Sequence, residues 1–273
     1  MTTATYERPL ARALPGVSFG RVVKSELIKF RSLRSTWITY VVALVVGDGF
    51  GLLGAALRGS DAYSHHEPID KVAITLHGIM FAQLALGVIG VLYITGEYAT
   101  GSIRASMTAV PKRIPVLLAK AGVLASITAV VALVMTFVAF LAGEAVLSSS
   151  YHQSVSLSYD GALRAVTGSA LYVVCVAVMG LGIGFALRNT GGAIATLFGI
   201  VLVLPLLTQA LPQSWQDHVS KFLPLNIASH MIETGIHAVD PNQLSYGTGA
   251  IMLVIYALAA LAIGLAVLKR RDV

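Results

Sequence analysis

Charged residues are scarce in this 273-residue chain, at 12 %, whereas 56 % of the residues are hydrophobic. An ordinary soluble domain has about 25 % charged residues, which cover its surface in water. A chain with so few charges lacks the polar surface of a soluble globule. The composition therefore excludes a soluble enzyme and favours a protein whose solvent is the lipid bilayer.

Cysteine is almost absent, since Cys175 is the only one and lies in an apolar run, so no disulfide forms within the chain. Acidic residues are the scarcer charge, with 13 Asp and Glu against 19 Lys and Arg, which gives a net charge of +6. These cations stand at the ends of apolar segments rather than in one basic patch. Their distribution argues against a nucleic-acid partner.

Long apolar runs are what the chain has in abundance. A bilayer core about 30 Å thick needs about 20 apolar residues for each helical span. Six segments meet this need, at residues 37–57, 72–95, 116–147, 162–187, 193–211 and 249–268. The third is longer than a span requires, so we expect its Lys120 end to project into the cytoplasm. The fourth and fifth are so close in sequence that they predict an antiparallel hairpin. The fold class predicted is an all-α integral membrane protein with six transmembrane helices.

The Lys and Arg residues predict the orientation of these spans. With the N-terminus inside, fifteen of the nineteen fall in cytoplasmic segments and four on the opposite side. An excess of Lys and Arg in cytoplasmic loops is the positive-inside rule. The asymmetry therefore predicts an N-in, C-in protein.

The segment before the first span predicts a basic amphipathic helix. Residues 18–36 place apolar side chains on one helical stripe and most of the cations elsewhere, and Trp37 follows at the membrane boundary. Such a helix would lie in the interface. The alternative is a solvated juxtamembrane run that interacts only with anionic lipid. Residues 1–17 are predicted to be a flexible cytoplasmic N-terminus, and 18–273 a transmembrane domain.

Two connections are more ordered than loops usually are. The cytoplasmic segment 96–115 contains a short helical pattern after Gly101, bounded by Pro111 and Pro115. On the opposite side, residues 212–248 contain apolar residues that would be poorly placed in a free loop. They predict short extracellular helices between spans five and six that rest on, or dip into, the outer leaflet.

No motif for catalysis or metal binding is found. Gly96-x4-Gly101 lacks the lysine of a phosphate-binding loop, and no strand precedes it. His65, His66 and Glu67 are more typical of a solvated loop than of a metal site. No Ser/His/Asp set and no pair of carboxylates shares one predicted face, so we predict no catalytic residue, no metal and no enzyme activity in this chain.

Two features inside the spans have other interpretations. Gly180 and Gly184 belong to an apolar span rather than to a βαβ unit, and their four-residue spacing predicts a close helix-packing face. Asp48 lies in the first span, where burying a charge at the bilayer centre costs about 2.5–3.5 kcal/mol. It either has a functional role in a bundle interior or lies close to water because nearby glycines distort the helix.

Four stretches follow one another in an informative order. They are SELIKFRS at 25–32, GEYATGSIR at 96–104, GIGFALRNT at 182–190 and FLPLN at 222–226. In this order and spacing the chain resembles the membrane-spanning permease subunit of ABC transporters of the ABC-2 exporter class. The resemblance covers residue 18 to the end of the sequence, and residues 1–17 match no known pattern.

The resemblance implies a mechanism and partners. Permeases of this class pair as homo- or heterodimers in the plasma (inner) membrane, and each half rests on a cytoplasmic ABC ATP-binding subunit. ATP and Mg²⁺ would bind in that partner, and this chain would bind no cofactor. The expected cargo is amphiphilic or hydrophobic, such as a drug, a lipid or a peptide-like molecule, and it would move outward.

The resemblance also predicts two sets of functional residues. Those that transmit force from the ATP-binding subunit are Glu97, Tyr98, Thr100, Gly101, Ser102 and Arg104, with Glu26, Lys29 and Arg31 beside them. Those of the substrate pathway, in spans two and five, are Phe81, Gln83, Leu84, Leu202, Leu206 and Thr208, with Asp48 as a further candidate. An apolar lining suits an amphiphilic cargo because little desolvation is needed.

Two other classes remain open. One is an ATP-independent membrane protein, either a secondary carrier or a membrane-bound sensor or immunity protein. A carrier should show broken helices in repeated halves and charges near the bilayer midplane, whereas the sequence offers only Asp48 and no internal repeat. The other is a membrane-embedded enzyme, which would need clustered His or carboxylate residues within the spans.

Overall fold

The computed structural model describes residues 18–65, 70–110, 113–151, 156–234 and 243–270. The predicted flexible segment 1–17 lies outside these ranges. Within them the chain is helical and contains no β-strand. The helices are α1 (Phe19–Ser32), α2 (Arg34–His65), α3 (Lys71–Leu76), α4 (Ile79–Thr100), α5 (Ser102–Ala109), α6 (Arg113–Tyr151), α7 (Ala162–Leu187), α8 (Thr190–Phe198), α9 (Leu204–Thr208), α10 (Gln213–Val219), α11 (Pro224–Ile232) and α12 (Tyr246–Arg270).

Six helical stretches are long and apolar enough to cross a membrane, which confirms the number predicted. Spans 1 to 6 are Arg34–Arg58, Lys71–Thr100, Arg113–Ser149, Ala162–Leu187, Thr190–Thr208 and Tyr246–Arg270. Their ends lie within five residues of the predicted ends. Span 2 differs most, because α4 continues to Thr100 and so takes up the first part of the predicted loop. The protein is a multi-pass membrane protein.

Span 2 is broken near its first end. Asp70 accepts a hydrogen bond from the Ala73 amide at 2.9 Å and so caps α3, and the chain then turns at His77 and Gly78 before α4 begins. Gly78 lies so close to Gly47 of span 1 that a Cβ atom there would overlap the Gly47 carbonyl oxygen. The break therefore accompanies a backbone-to-backbone approach of spans 1 and 2, which only glycine permits.

Span 5 is not a regular α-helix either. Between α8 and α9 it widens into a π-helical segment, Gly199–Val203. Pro205 follows at once, and proline has no amide hydrogen to complete the preceding α-helical turn. A local widening of the helix accommodates the missing donor.

Span 4 lies at the centre of the bundle. About 72 % of its apolar window is buried, whereas the figure for span 5 is 22 %. It packs against α4, α6 and α12. Gly180 meets the backbone of Gly87 and Gly184 meets Ile94, so both glycines lie at the contact between span 4 and span 2. Spans 5 and 6 are left mostly exposed at the edge.

Short helices lie at both ends of the bundle. At one end α1 packs against α6, and Phe30 meets the ring of Tyr93 edge-on at 4.9 Å. At the other end α10 and α11 occupy the connection where short helices are predicted. The apolar side of α11 packs on α7 and α12 and buries Ile227, Met231 and Ile232.

Candidate functional site

Four charged side chains from three helices meet at the end of the bundle that carries α1. Lys29 Nζ lies 2.9 Å from Glu26 Oε1 and 3.2 Å from Glu97 Oε1. Lys120 Nζ lies 2.6 Å from Glu26 Oε2 and 2.8 Å from Glu97 Oε1. Each ammonium group therefore contacts both carboxylates. We call Glu26, Lys29, Glu97 and Lys120 the charge cluster.

The charge cluster is buried but electrically neutral. The exposed fraction of the side chain is 0 % for Lys120, 2 % for Glu26, 13 % for Glu97 and 37 % for Lys29. Removing an ion from water costs several kcal/mol, and good geometry with an opposite charge is needed to offset that cost. Two carboxylates and two ammonium groups at alternating positions meet this condition.

Two further groups complete the surroundings. The Tyr93 hydroxyl of α4 donates to Glu26 Oε2 at 3.1 Å, and the Lys120 ammonium lies 4.4 Å from the centre of the Tyr93 ring. A cation over an aromatic face is attracted by the ring quadrupole. Lys29 donates to the Ser106 hydroxyl at 2.8 Å, which adds α5 to the same network.

The charge cluster shifts the pKa values of its two α1 residues. Burial alone would raise the pKa of the Glu26 carboxyl, but the charges and hydrogen bonds of Lys120 and Lys29 outweigh it and lower that pKa below its ordinary 4.5. Burial alone would lower the pKa of Lys29, but Glu26 and Glu97 raise it above its ordinary 10.5. Both groups are therefore charged at neutral pH.

The buried face of α1 differs from the stripe predicted. It consists of Val22, Glu26 and Phe30, which are spaced four residues apart and share one side of the helix. Two members of the predicted stripe, Phe19 and Leu33, are 54 % and 42 % exposed. A carboxylate stands in the middle of the buried row, and its position among apolar neighbours is the sequence signal for a buried ion pair.

Lys120 is a second correction. We expected its end of span 3 to reach the cytoplasm, but its side chain is fully buried beneath α1. The reason is that α1 covers this part of α6 and supplies Glu26 as a partner. Lys120, Tyr93 and Ser106 were absent from the predicted site, although a lysine within a long apolar segment was a usable signal.

The other residues predicted to transmit force lie outside the charge cluster. Gly101 has a left-handed backbone with φ 73° and turns the chain from α4 into α5. The exposed residues around this turn and on α1 are Thr100, Gly101, Ser102, Arg104 and Arg31. Tyr98 is half-buried, and its ring centre lies 5.2 Å from the guanidinium carbon of Arg188. The structure thus separates a buried cluster from an exposed rim.

The residues predicted for the substrate pathway have different environments. Phe81 is 48 % exposed and stacks on Phe50 at 4.1 Å, and Leu206 is 55 % exposed. Leu84 and Leu202 are half-buried. Gln83 is fully enclosed, accepting a hydrogen bond from the Tyr172 hydroxyl, and Thr208 is buried with its hydroxyl bonded to the Pro205 carbonyl.

Asp48 is buried near a very small cavity between spans 1, 2 and 3, which has room for about one water molecule. Its Oδ2 atom is without a hydrogen-bond partner among the residues described. Within the described ranges no three His, Cys, Asp or Glu residues are grouped to hold a metal ion. Residues 66 and 67 of the His-His-Glu run lie outside those ranges.

One comparison with known families gives a match. The model of the family described as "ABC-2 family transporter protein" matches residues 21–273, which include the charge cluster, the exposed rim and all six spans. No curated protein matches the chain.

Proposed function

The chain belongs to the ABC-2 family of transporter proteins, and on that premise we propose that it is the membrane-spanning permease subunit of an ATP-driven exporter. The observation that carries the proposal is the charge cluster, in which one carboxylate of α1 and one of span 2 are held by the same two lysines. A mechanical signal that reaches α1 or α5 has a direct connection to two spans.

The energy source lies in another polypeptide. The sequence contains no G-x4-G-K-[ST] loop, the element that holds nucleotide phosphates in ATP-binding subunits. ATP and Mg²⁺ therefore bind in a separate ABC ATP-binding subunit, and this chain supplies the surface on which that subunit rests. No catalytic role is assigned to its residues.

The docking surface is the exposed rim at the α1 end. Thr100, Ser102 and Arg104 are exposed around the Gly101 turn, and Arg31 is exposed on α1. The positive-inside rule places this end in the cytoplasm, where the ATP-binding subunit lies. Polar and charged side chains around a sharp turn suit a contact that forms and changes during each cycle.

The charge cluster links the docking surface to the spans. α1 contributes Glu26 and Lys29, span 2 contributes Glu97, span 3 contributes Lys120, and α5 is attached through Ser106. Breaking a buried ion pair by removing one partner costs about 3–5 kcal/mol. Because separating these charges is so unfavourable, displacement of α1 and α5 moves the cytoplasmic ends of spans 2 and 3 together.

The transport pathway lies between two permease halves in the plasma membrane. Phe81 of span 2 and Leu206 of span 5 are exposed in the single chain, which supports their lining a path along a second half. The cargo is amphiphilic or hydrophobic and moves outward, because an exposed face of this composition offers little to hold ions or sugars.

A secondary carrier is the second candidate, and two observations favour it. Asp48 is a buried carboxylate with an unpartnered oxygen among the described residues, and span 2 is interrupted at His77 and Gly78. Carriers use such charges and broken helices near the midplane, but in repeated halves. Here one charge and one break stand without a counterpart in the other half of the sequence.

Purification with a co-expressed ABC ATP-binding subunit separates the two candidates. We expect a stable complex whose ATP hydrolysis is inhibited by vanadate and is faster than that of the isolated ATP-binding subunit. Failure to form a complex, together with transport in vesicles that follows an ion gradient without ATP, would support the carrier.

A further inference from the structure

A large apolar groove lies away from both the charge cluster and the predicted pathway. It has a volume of about 530 Å³ and runs between spans 4, 5 and 6. Met179 and Ile183 of α7, Ile200 of span 5 and Ile263 of α12 line its walls. Residues 222–224, the turn before α11, close one end.

The groove offers no hydrogen bonds to a ligand. Thr196 and Tyr256 carry the two hydroxyls of its lining, and both are already used within the chain. Thr196 donates to the Gly192 carbonyl at 2.8 Å, and Tyr256 donates to the Phe222 carbonyl at 2.7 Å. A polar molecule would lose its hydrogen bonds to water on entering and gain none in return. The occupant must therefore be hydrocarbon.

The groove also lies at membrane depth. On α12 its lining extends from Tyr256 to Ile263 and on α7 from Met179 to Leu187, distances of about 10 Å and about 12 Å along the helices. All these residues belong to membrane spans. An empty groove among them would forfeit the dispersion contacts of its lining atoms, and the bilayer supplies acyl chains at that depth.

Positive charge is concentrated at the other end of the groove. Arg188 follows the lining residue Leu187 directly, and Lys269 and Arg270 end α12 beyond Ile263. Basic residues just outside a span attract anionic lipid headgroups. We propose that the groove binds one acyl chain of an anionic phospholipid, whose headgroup lies at the end marked by Arg188 and Lys269. In the N-in orientation this is a lipid of the cytoplasmic leaflet.

The test uses phosphatidylglycerol with a photoactivatable diazirine in one acyl chain. The full chain, without an ATP-binding subunit, is reconstituted in vesicles containing this probe, and the labelled peptides are identified by mass spectrometry. We expect adducts on α7 and α12 within the groove. Ala259→Phe, which fills the groove, should lower this labelling about tenfold, whereas Ala262→Phe, on the exposed face of the same helix outside the groove, should not.

A phosphatidylcholine probe with the same photoactive chain tests the headgroup. We expect weaker labelling than with phosphatidylglycerol, and equal labelling would overturn the assignment to an anionic lipid. Ile263→Phe provides a second way to fill the groove if the Ala259 variant fails to fold. Undiminished labelling in a folded filled variant would overturn the proposal, as would disulfide-linked dimers of Ile263→Cys without lipid adducts, because a second copy would then cover the groove. None of these outcomes depends on ATP-driven transport.

Discussion

Lys120 Nζ of span 3 lies 2.6 Å from Glu26 Oε2 of the N-terminal helix, a contact between residues 94 positions apart in the sequence. The lysine is fully buried and the glutamate nearly so. This ion pair attaches α1 to the bundle. It gives a helix that would otherwise lie loosely in the membrane interface a fixed relation to the spans.

Lys120→Met tests the strength of this attachment. The substitution keeps the apolar stem but leaves Glu26 and Glu97 to share Lys29, so we expect a loss of about 3–5 kcal/mol in the free energy of unfolding. Thermal unfolding of the purified protein in detergent measures the loss. Lys24→Met, on the exposed side of α1, is the matched control and should change little. Equal effects of the two variants would contradict a buried ion pair.

Acidic pH should weaken the same attachment. The pKa of Glu26 is lower in the folded protein, so its contribution to stability is fully present above the ordinary value of 4.5 and is lost as the pH falls through the folded-state value. The raised pKa of Lys29 acts in the opposite range, where its contribution is lost above 10.5 as the pH rises through the folded-state value.

The measurement is the unfolding midpoint between pH 3 and pH 7, compared with Glu26→Gln. We expect the midpoint of the unchanged protein to fall below pH 4.5 more steeply than that of the variant, which has no carboxyl at this position to protonate. Parallel pH profiles would show that Glu26 is not the group responsible.

The helix-packing glycines give a steric prediction. A Cβ atom on Gly180 would overlap the Gly87 carbonyl oxygen, so Gly180→Ala should destabilise the protein by about 1–3 kcal/mol through overpacking. Gly122→Ala on span 3 is the control, because open space surrounds that position. Unfolding in detergent distinguishes them, and a tolerated Gly180→Ala would mean that spans 2 and 4 are packed less closely.

The orientation of the protein can be tested by labelling with a membrane-impermeant maleimide on intact cells. Cys175 is buried, so in unmodified protein we expect little reaction. Trp215→Cys, on α10, should react from outside, whereas Arg104→Cys, on α5, should react only after the cells are opened. The reverse pattern would overturn the N-in, C-in prediction.

Much of the fold could be predicted from the sequence because bilayer thickness sets the length of apolar segments. Span 4 begins and ends at the predicted residues 162 and 187. The break at His77 and Gly78 could not be read in this way, since it depends on how closely Gly47 of another helix approaches. Hydropathy measures one segment at a time and contains no information on such contacts.

The candidate site was predicted only in part, for a similar reason. Glu26, Lys29 and Glu97 were chosen through a family resemblance, and they do lie together. Lys120 and Tyr93 were missed because their role depends on α1 folding back over span 3, a contact between distant parts of the chain. The pattern in α1 alone favoured an apolar stripe and so concealed the carboxylate at its centre.

The most direct test of the account is the amount of cargo moved per ATP hydrolysed by the reconstituted complex with Glu97→Ala. We predict that ATP hydrolysis continues while this ratio falls on the order of tenfold, because α1 and span 2 no longer share their lysines. Glu144→Ala, at the other end of α6, is the control and should leave the ratio unchanged. If Glu97→Ala instead moves as much cargo per ATP as the unmodified protein, the charge cluster does not couple ATP hydrolysis to transport.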